Sequence, residues 1–153
     1  MQRLVVQHNG VVPAACEAAW RVLRDWAGLA RWWPEDAPFP VLRCEPIGDP
    51  AQLPFGRRLH VPGGGMVDEQ LIFADEKLRR VYYYIDNATA QGFSNYLATA
   101  TVDDAGEGRS TIGLLVCLDV HDGVDPAAIE GLVKAVLDAN VRGIGRAAEH
   151  DGR

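Results

Sequence analysis

Apolar residues fall at Ile129, Leu132, Val133, Val136, Leu137 and Ile144, the spacing of one helix face, and Asn140 lies inside the same stripe. The spacing predicts a helix from Asp125 to about His150, with Asp125 as N-cap and Pro126 at the first helical position. Upstream the period is two. Strands are predicted at 3–8, 41–47, 56–62, 66–75, 78–86, 95–103 and 110–120, separated by turn-forming runs such as Asp75-Glu76-Lys77. After the first strand, Pro13 opens a short helix carrying Cys16, Trp20 and Leu23. Gly28 interrupts it, and Leu29, Trp32 and Trp33 form a second short helix before Pro34. This order predicts an α+β domain spanning 1–153, in which one long amphipathic helix covers one face of a curved antiparallel sheet.

Alternation assigns residues to that covered face. Val67, Glu69, Leu71 and Phe73 share it on one strand, Tyr82, Tyr84 and Asp86 on the next, then Tyr96, Ala98 and Ala100, then Ile112, Leu114, Val116 and Leu118. Small side chains at Ala98 and Ala100 leave volume that a helix carrying Leu132, Val136 and Asn140 does not fill, so a cavity is expected. An amide buried there without partners costs roughly 1–3 kcal/mol, which calls for a polar partner, a water or a ligand. Glu69 sits among apolar neighbours and has three readings: a structural carboxylate paired with Arg57 or Arg58, a ligand-orienting group, or a general base. Tyr82, Tyr84, Phe93, Trp32 and Trp33 read as core that also lines the cavity.

Charge narrows the partners. With 21 acidic and 15 basic residues the net charge is −6, and no stretch concentrates Lys or Arg, so nucleic acid is not expected as a partner. No run approaches the apolar length of a membrane span, no secretory h-region opens the chain, and a soluble cytoplasmic protein without membrane insertion is expected. Cys16, Cys44 and Cys117 read as reduced, partly buried thiols. With His8, His60, His121 and His150 they offer no metal-ligand spacing, so neither a metal nor a cofactor is expected. The glycines at 63–65 lead from strand to strand, which suits a lid or a loose hairpin and not a phosphate cradle.

The runs Val12-Pro13-Ala14-Ala15, Trp20 through Trp26, Leu29-Ala30-Arg31-Trp32-Trp33-Pro34, Val67 through Asp75 and Ser94-Asn95-Tyr96-Leu97-Ala98-Thr99, followed by the amphipathic helix, carry a family resemblance. Together they resemble the START-like, helix-grip superfamily, which includes polyketide cyclase/dehydrase-like proteins, birch-pollen-type allergens and plant abscisic acid receptors. The resemblance implies a helix-grip fold of about seven strands, two short helices and a long C-terminal helix over the concave face. By similarity to the abscisic acid receptors it also implies a pocket network of Glu69, Tyr96 and Asn140, a gate loop at Pro62, Gly63, Gly64 and Gly65, and a latch-like loop from Asn87 to Phe93. The receptors' strand lysine has no counterpart in Phe39-Pro40-Val41-Leu42-Arg43, so a carboxylate ligand is not implied.

Three functions follow as expectations. The first is binding of a small hydrophobic or aromatic molecule by Glu69, Tyr96 and Asn140, lined by Tyr82, Tyr84, Asp86, Phe93, Ala98, Leu114, Leu132 and Val136. The second is a cofactor-independent polyketide cyclase or dehydrase in which Glu69 is the general acid/base. The third is an interaction module with a collapsed cavity that forms a homodimer through its strand edges or Trp-rich N-terminal region.

Overall fold

The computed structural model describes residues 1–85 and 91–151. In chain order the elements are β1 (Gln2–Val12), α1 (Cys16–Arg24), a 3-10 segment (Trp26–Arg31), β2 (Arg43–Ile47), β3 (Phe55–Val61), β4 (Gly65–Asp75), β5 (Arg80–Ile85), β6 (Phe93–Gly106), β7 (Arg109–Val120) and α2 (Pro126–Asp151). All strands join one antiparallel sheet in the order β1-β7-β6-β5-β4-β3-β2. This is the α+β arrangement that the alternation and the terminal stripe predict, and the helix-grip fold that the family resemblance implies. Turn chemistry ends the strands as expected. Asp75 Oδ1 accepts the N–H groups of Lys77 and Leu78 at 3.0 and 2.9 Å, and Asp104 Oδ1 accepts that of Gly106 at 2.8 Å. Asp125 caps α2 by accepting the Ala127 N–H at 3.0 Å.

The buried face of α2 runs through Ile129, Val133, Leu137, Asn140, Val141, Ile144 and Ala148, and the helix packs mainly on β1, with α1 and β7 beside it. Two glycines set how close it comes. A Cβ at Gly10 would lie 2.5 Å from Val141 Cγ1, and one at Gly145 would lie 2.5 Å from Val12 Cγ1. Both positions need a bare backbone. On its outer side Lys134 pairs with Glu130 and Arg142 with Asp138, each at 2.8 Å, as the four-residue spacing predicts.

Two bulges decide which side chains face inward. In β4, Leu71 pairs with Tyr83 and Phe73 with Tyr82, so Ile72 is the extra residue. Beyond it the phase flips, and Phe73 moves to the convex face, where it stacks on Tyr82 with ring centroids 4.9 Å apart. In β6 the extra residue is Asn95, whose φ of 53° lies in the left-handed region. Its Nδ2 donates to Asp119 Oδ2 at 2.8 Å. The bulge lets Phe93 and Tyr96, of opposite parity, point to the same concave face, where they are 3% and 5% exposed.

Candidate functional site

Three strands bring charge and phenols under the sheet. β3 turns Arg57 inward between Phe55 and Leu59, β4 turns Glu69 inward between Val67 and Leu71, and β5 presents Tyr83. Arg57 is 3% exposed. Its Nε donates to Glu69 Oε2 at 2.7 Å and its Nη2 approaches the same oxygen at 2.5 Å. Nη1 donates to the Trp26 carbonyl at 3.1 Å, and the guanidinium carbon lies 3.5 Å above the Trp26 ring centroid. Trp26 Nε1 in turn donates to the backbone carbonyl of Glu69 at 3.2 Å. The Glu69 side chain keeps 12% of its surface accessible. Of the three sequence readings of Glu69, the structure realises the ion pair, and with Arg57; Arg58 pairs on the other face with Asp68 at 2.8 Å.

Aromatic rings continue from this pair. Trp26 and Tyr83 lie 5.0 Å apart by centroid, Tyr83 and Tyr96 6.4 Å, and Tyr96 and Phe93 5.7 Å. The Tyr96 hydroxyl hydrogen-bonds to Tyr83. Burial first, then the Glu69 charge, pushes the Tyr83 phenol well above its ordinary value. Tyr96 is likewise raised well above its ordinary value, by burial first and then by its proximity to Tyr83 and Glu69. Both phenols are therefore neutral at physiological pH and available as hydrogen-bond donors or acceptors.

The other site residues divide. Ala98 and Leu114 are inward and buried, and Asn140 is 7% exposed on the covered face of α2. The Asn140 amide has an internal partner: Nδ2 donates to the Val136 carbonyl one turn earlier, at 2.9 Å. Its Oδ1 has no hydrogen-bond partner among the described residues. Tyr82 is 40% exposed on the convex face, and Tyr84, paired with Gln70 and Leu97, shares that face, contrary to the predicted lining. The run Val81-Tyr82-Tyr83-Tyr84-Ile85 is apolar at both parities, so alternation alone does not choose the inward set. Leu132 is 39% exposed and Val136 only half-buried, because the stripe centred on Val133 and Leu137 takes the covered position between them. Pro62, Gly63 and Gly64 form one exposed 3-10 turn leading into half-buried Gly65. Asp86 and most of the latch-like loop lie outside the described residues.

Tyr83, Trp26 and the inward aim of Arg57 are the features that sequence alternation passes over. The usable signal was the pairing of an inward Arg and Glu at equivalent places on adjacent strands. Elsewhere, an open cleft of about 1080 Å³ separates α1 and the 3-10 segment from the last turns of α2. Arg21, Arg31 and Arg146 line it against Asp25, Glu35 and Asp36, so it presents no field of one sign, and Glu69, Tyr83, Tyr96 and Asn140 do not line it.

Solved structures share the fold. The ZhuI aromatase/cyclase from Streptomyces sp. R1128 matches with TM-score 0.77 at 20% identity over 99% of this chain and 97% of its own. Norcoclaurine synthase from Thalictrum flavum, solved with dopamine and hydroxybenzaldehyde, matches with TM-score 0.71 at 22% identity over 97% and 88%. A START superfamily protein from Mycobacterium smegmatis matches with TM-score 0.74 at 14% identity over 95% and 97%. No curated protein matches the chain in sequence. Among the described residues no helix is long and apolar enough to cross a membrane. The family model for polyketide cyclase / dehydrase and lipid transport matches residues 3–149, and the chain belongs to that family.

Proposed function

We propose that the protein binds a small hydrophobic or aromatic molecule between the sheet and α2, with Tyr96, Tyr83 and Glu69 orienting a polar atom of the ligand. The observation that carries this reading is the buried row Trp26–Tyr83–Tyr96–Phe93, apolar along its length and ending beside an ion pair. A row of this kind offers ring faces for stacking and two neutral phenols for a carbonyl or hydroxyl. Ala98 and Ala100 beneath it add no bulk. Asn140 Oδ1 is a further acceptor on the helix side.

The family also contains cyclases and dehydrases, and a neutral phenol is a suitable donor to a developing enolate oxygen. Glu69 as general base is the weaker half of that reading. Proton uptake by its carboxylate would leave the Arg57 guanidinium buried without its counter-charge.

Native mass spectrometry of protein purified under mild conditions tests the binding reading. A small molecule released on denaturation is expected, and the Tyr96→Phe variant should retain less of it. Protein that arrives empty and binds no member of a panel of hydroxylated aromatic compounds overturns the proposal. Turnover of a poly-β-ketone substrate by wild type, abolished in Glu69→Gln, would replace binding by catalysis as the primary function.

A further inference from the structure

We infer that Glu69 is a charge filter: by neutralising Arg57 it makes the interior select uncharged ligands, and without it the same interior would select carboxylates. This rests on the ligand-binding reading above and adds to it the determinant of ligand charge.

The geometry supplies the argument. Arg57 is the one charged residue that is fully buried among the described residues, the other buried polar side chains being Ser110 and Asn140. Its guanidinium cannot leave the interior, because Nη1 is bound to the Trp26 carbonyl and its face rests on the Trp26 ring. Two of its donors converge on one Glu69 oxygen, Oε2. Glu69 keeps 12% of its side chain accessible against 3% for Arg57, so the more accessible member of the pair is the anionic one. A ligand carboxylate arriving there would meet a like charge and would be stripped of water without a counter-ion. A carbonyl or hydroxyl meets two neutral phenols instead.

Replacing Glu69 reverses this balance. Glu69→Gln keeps the shape and leaves a fixed, desolvated cation whose planar fork matches a carboxylate. An aromatic acid would then restore neutrality and an ester of the same acid would not.

The test compares aromatic acids of one to three rings with their methyl esters, at neutral pH, by calorimetry and by tryptophan fluorescence. Wild type should bind the esters at least about tenfold more tightly than the acids, since a single uncompensated charge is worth at least one decade in affinity. In Glu69→Gln the acid-to-ester ratio should move by more than about tenfold towards the acid. Glu69→Asp, which keeps the charge, should keep the ester preference. The double variant Arg57→Met/Glu69→Leu, which removes both charges, should do the same, and so separate charge from shape. Where Glu69→Gln is unfolded alone, the acid should restore a cooperative melt and the ester should not. An unchanged ratio in Glu69→Gln, or a melt restored equally by both or by neither, overturns the filter while leaving ligand binding in place. Failure of every probe to bind wild type removes the binding reading and the filter with it.

Discussion

The two halves of the concave face are covered in different ways. Over β1 and β7 the cover is α2, seated through Gly10 against Val141 and Gly145 against Val12, and the contacts beneath it are aliphatic. Over β3, β4 and β5 the 3-10 segment supplies the cover through Trp26, and the chain places there an arginine, a glutamate and a buried phenol. Close backbone approach gains dispersion and excludes polar atoms, and this suffices to anchor a helix. A buried ion pair gains little over apolar side chains of the same volume. Its presence on one half only is therefore explained better by a task at that half than by stability.

The largest test of this contrast removes one partner of the pair. Arg57→Met leaves the Glu69 carboxylate buried with no cation and should lower the unfolding free energy by about 3–5 kcal/mol in a denaturant melt. Adding Glu69→Leu should recover most of that loss, because two apolar side chains replace two charges. If the double variant stays as unstable as the single, the pair is needed for folding and the contrast fails. On the other half, Gly145→Val drives a side chain into Val12 and should cost about 1–3 kcal/mol, offset in part by better helix propensity. Its signature is spatial. Hydrogen exchange should quicken in β1 and α2 while the amides of β3 and β4 stay protected.

The aliphatic half was readable in the sequence and the polar half was not. Ile129, Val133, Leu137 and Ile144 repeat with the helix, and Ile112, Leu114, Val116 and Leu118 alternate without interruption, so periodicity alone assigns their faces. Glu69, Tyr96 and Phe93 were also placed inward by sequence, and the structure buries Tyr96 and Phe93 and turns Glu69 to the same face. On the polar half a bulge in β4 breaks the period. An extra residue at Ile72 sends Phe73 outward, and with three consecutive tyrosines the inward position passes to Tyr83 from Tyr82 and Tyr84. A bulge leaves no reliable mark in a single sequence when the residues around it are apolar on both parities. Asn140 shows a different limit. Its place in the stripe was legible, but its bond to the Val136 carbonyl depends on a rotamer, which no spacing reveals.

A smaller effect separates the halves by pH. Tyr83 holds its proton in the folded protein to higher pH than in the unfolded chain, through burial and then the Glu69 charge. The native state thus binds more protons once pH passes the ordinary tyrosine value of about 10, and stability falls as pH rises beyond it. Tyr83→Phe should cost about 1–1.5 kcal/mol at neutral pH, through the lost hydroxyl contact with Tyr96, and should flatten that alkaline decline. A decline as steep as wild type would mean that other groups cause it.

The smallest change acts on the helical cover alone. Asp125 accepts the Ala127 N–H from an exposed position, so Asp125→Ala should cost only about 0.5–1 kcal/mol, the low end for an N-cap. The loss should be confined to fraying of the first turn of α2, read as faster exchange of the amides of Ala127, Ala128 and Ile129. Ligand affinity sharpens the comparison here. If the ligand is held by the β3–β5 half, fraying the start of α2 leaves its Kd within about twofold, well inside 1.4 kcal/mol per decade. A tenfold loss of affinity from so distant and mild a change would place the ligand's main contacts on α2, and the division between an anchoring half and a recognising half would have to be redrawn.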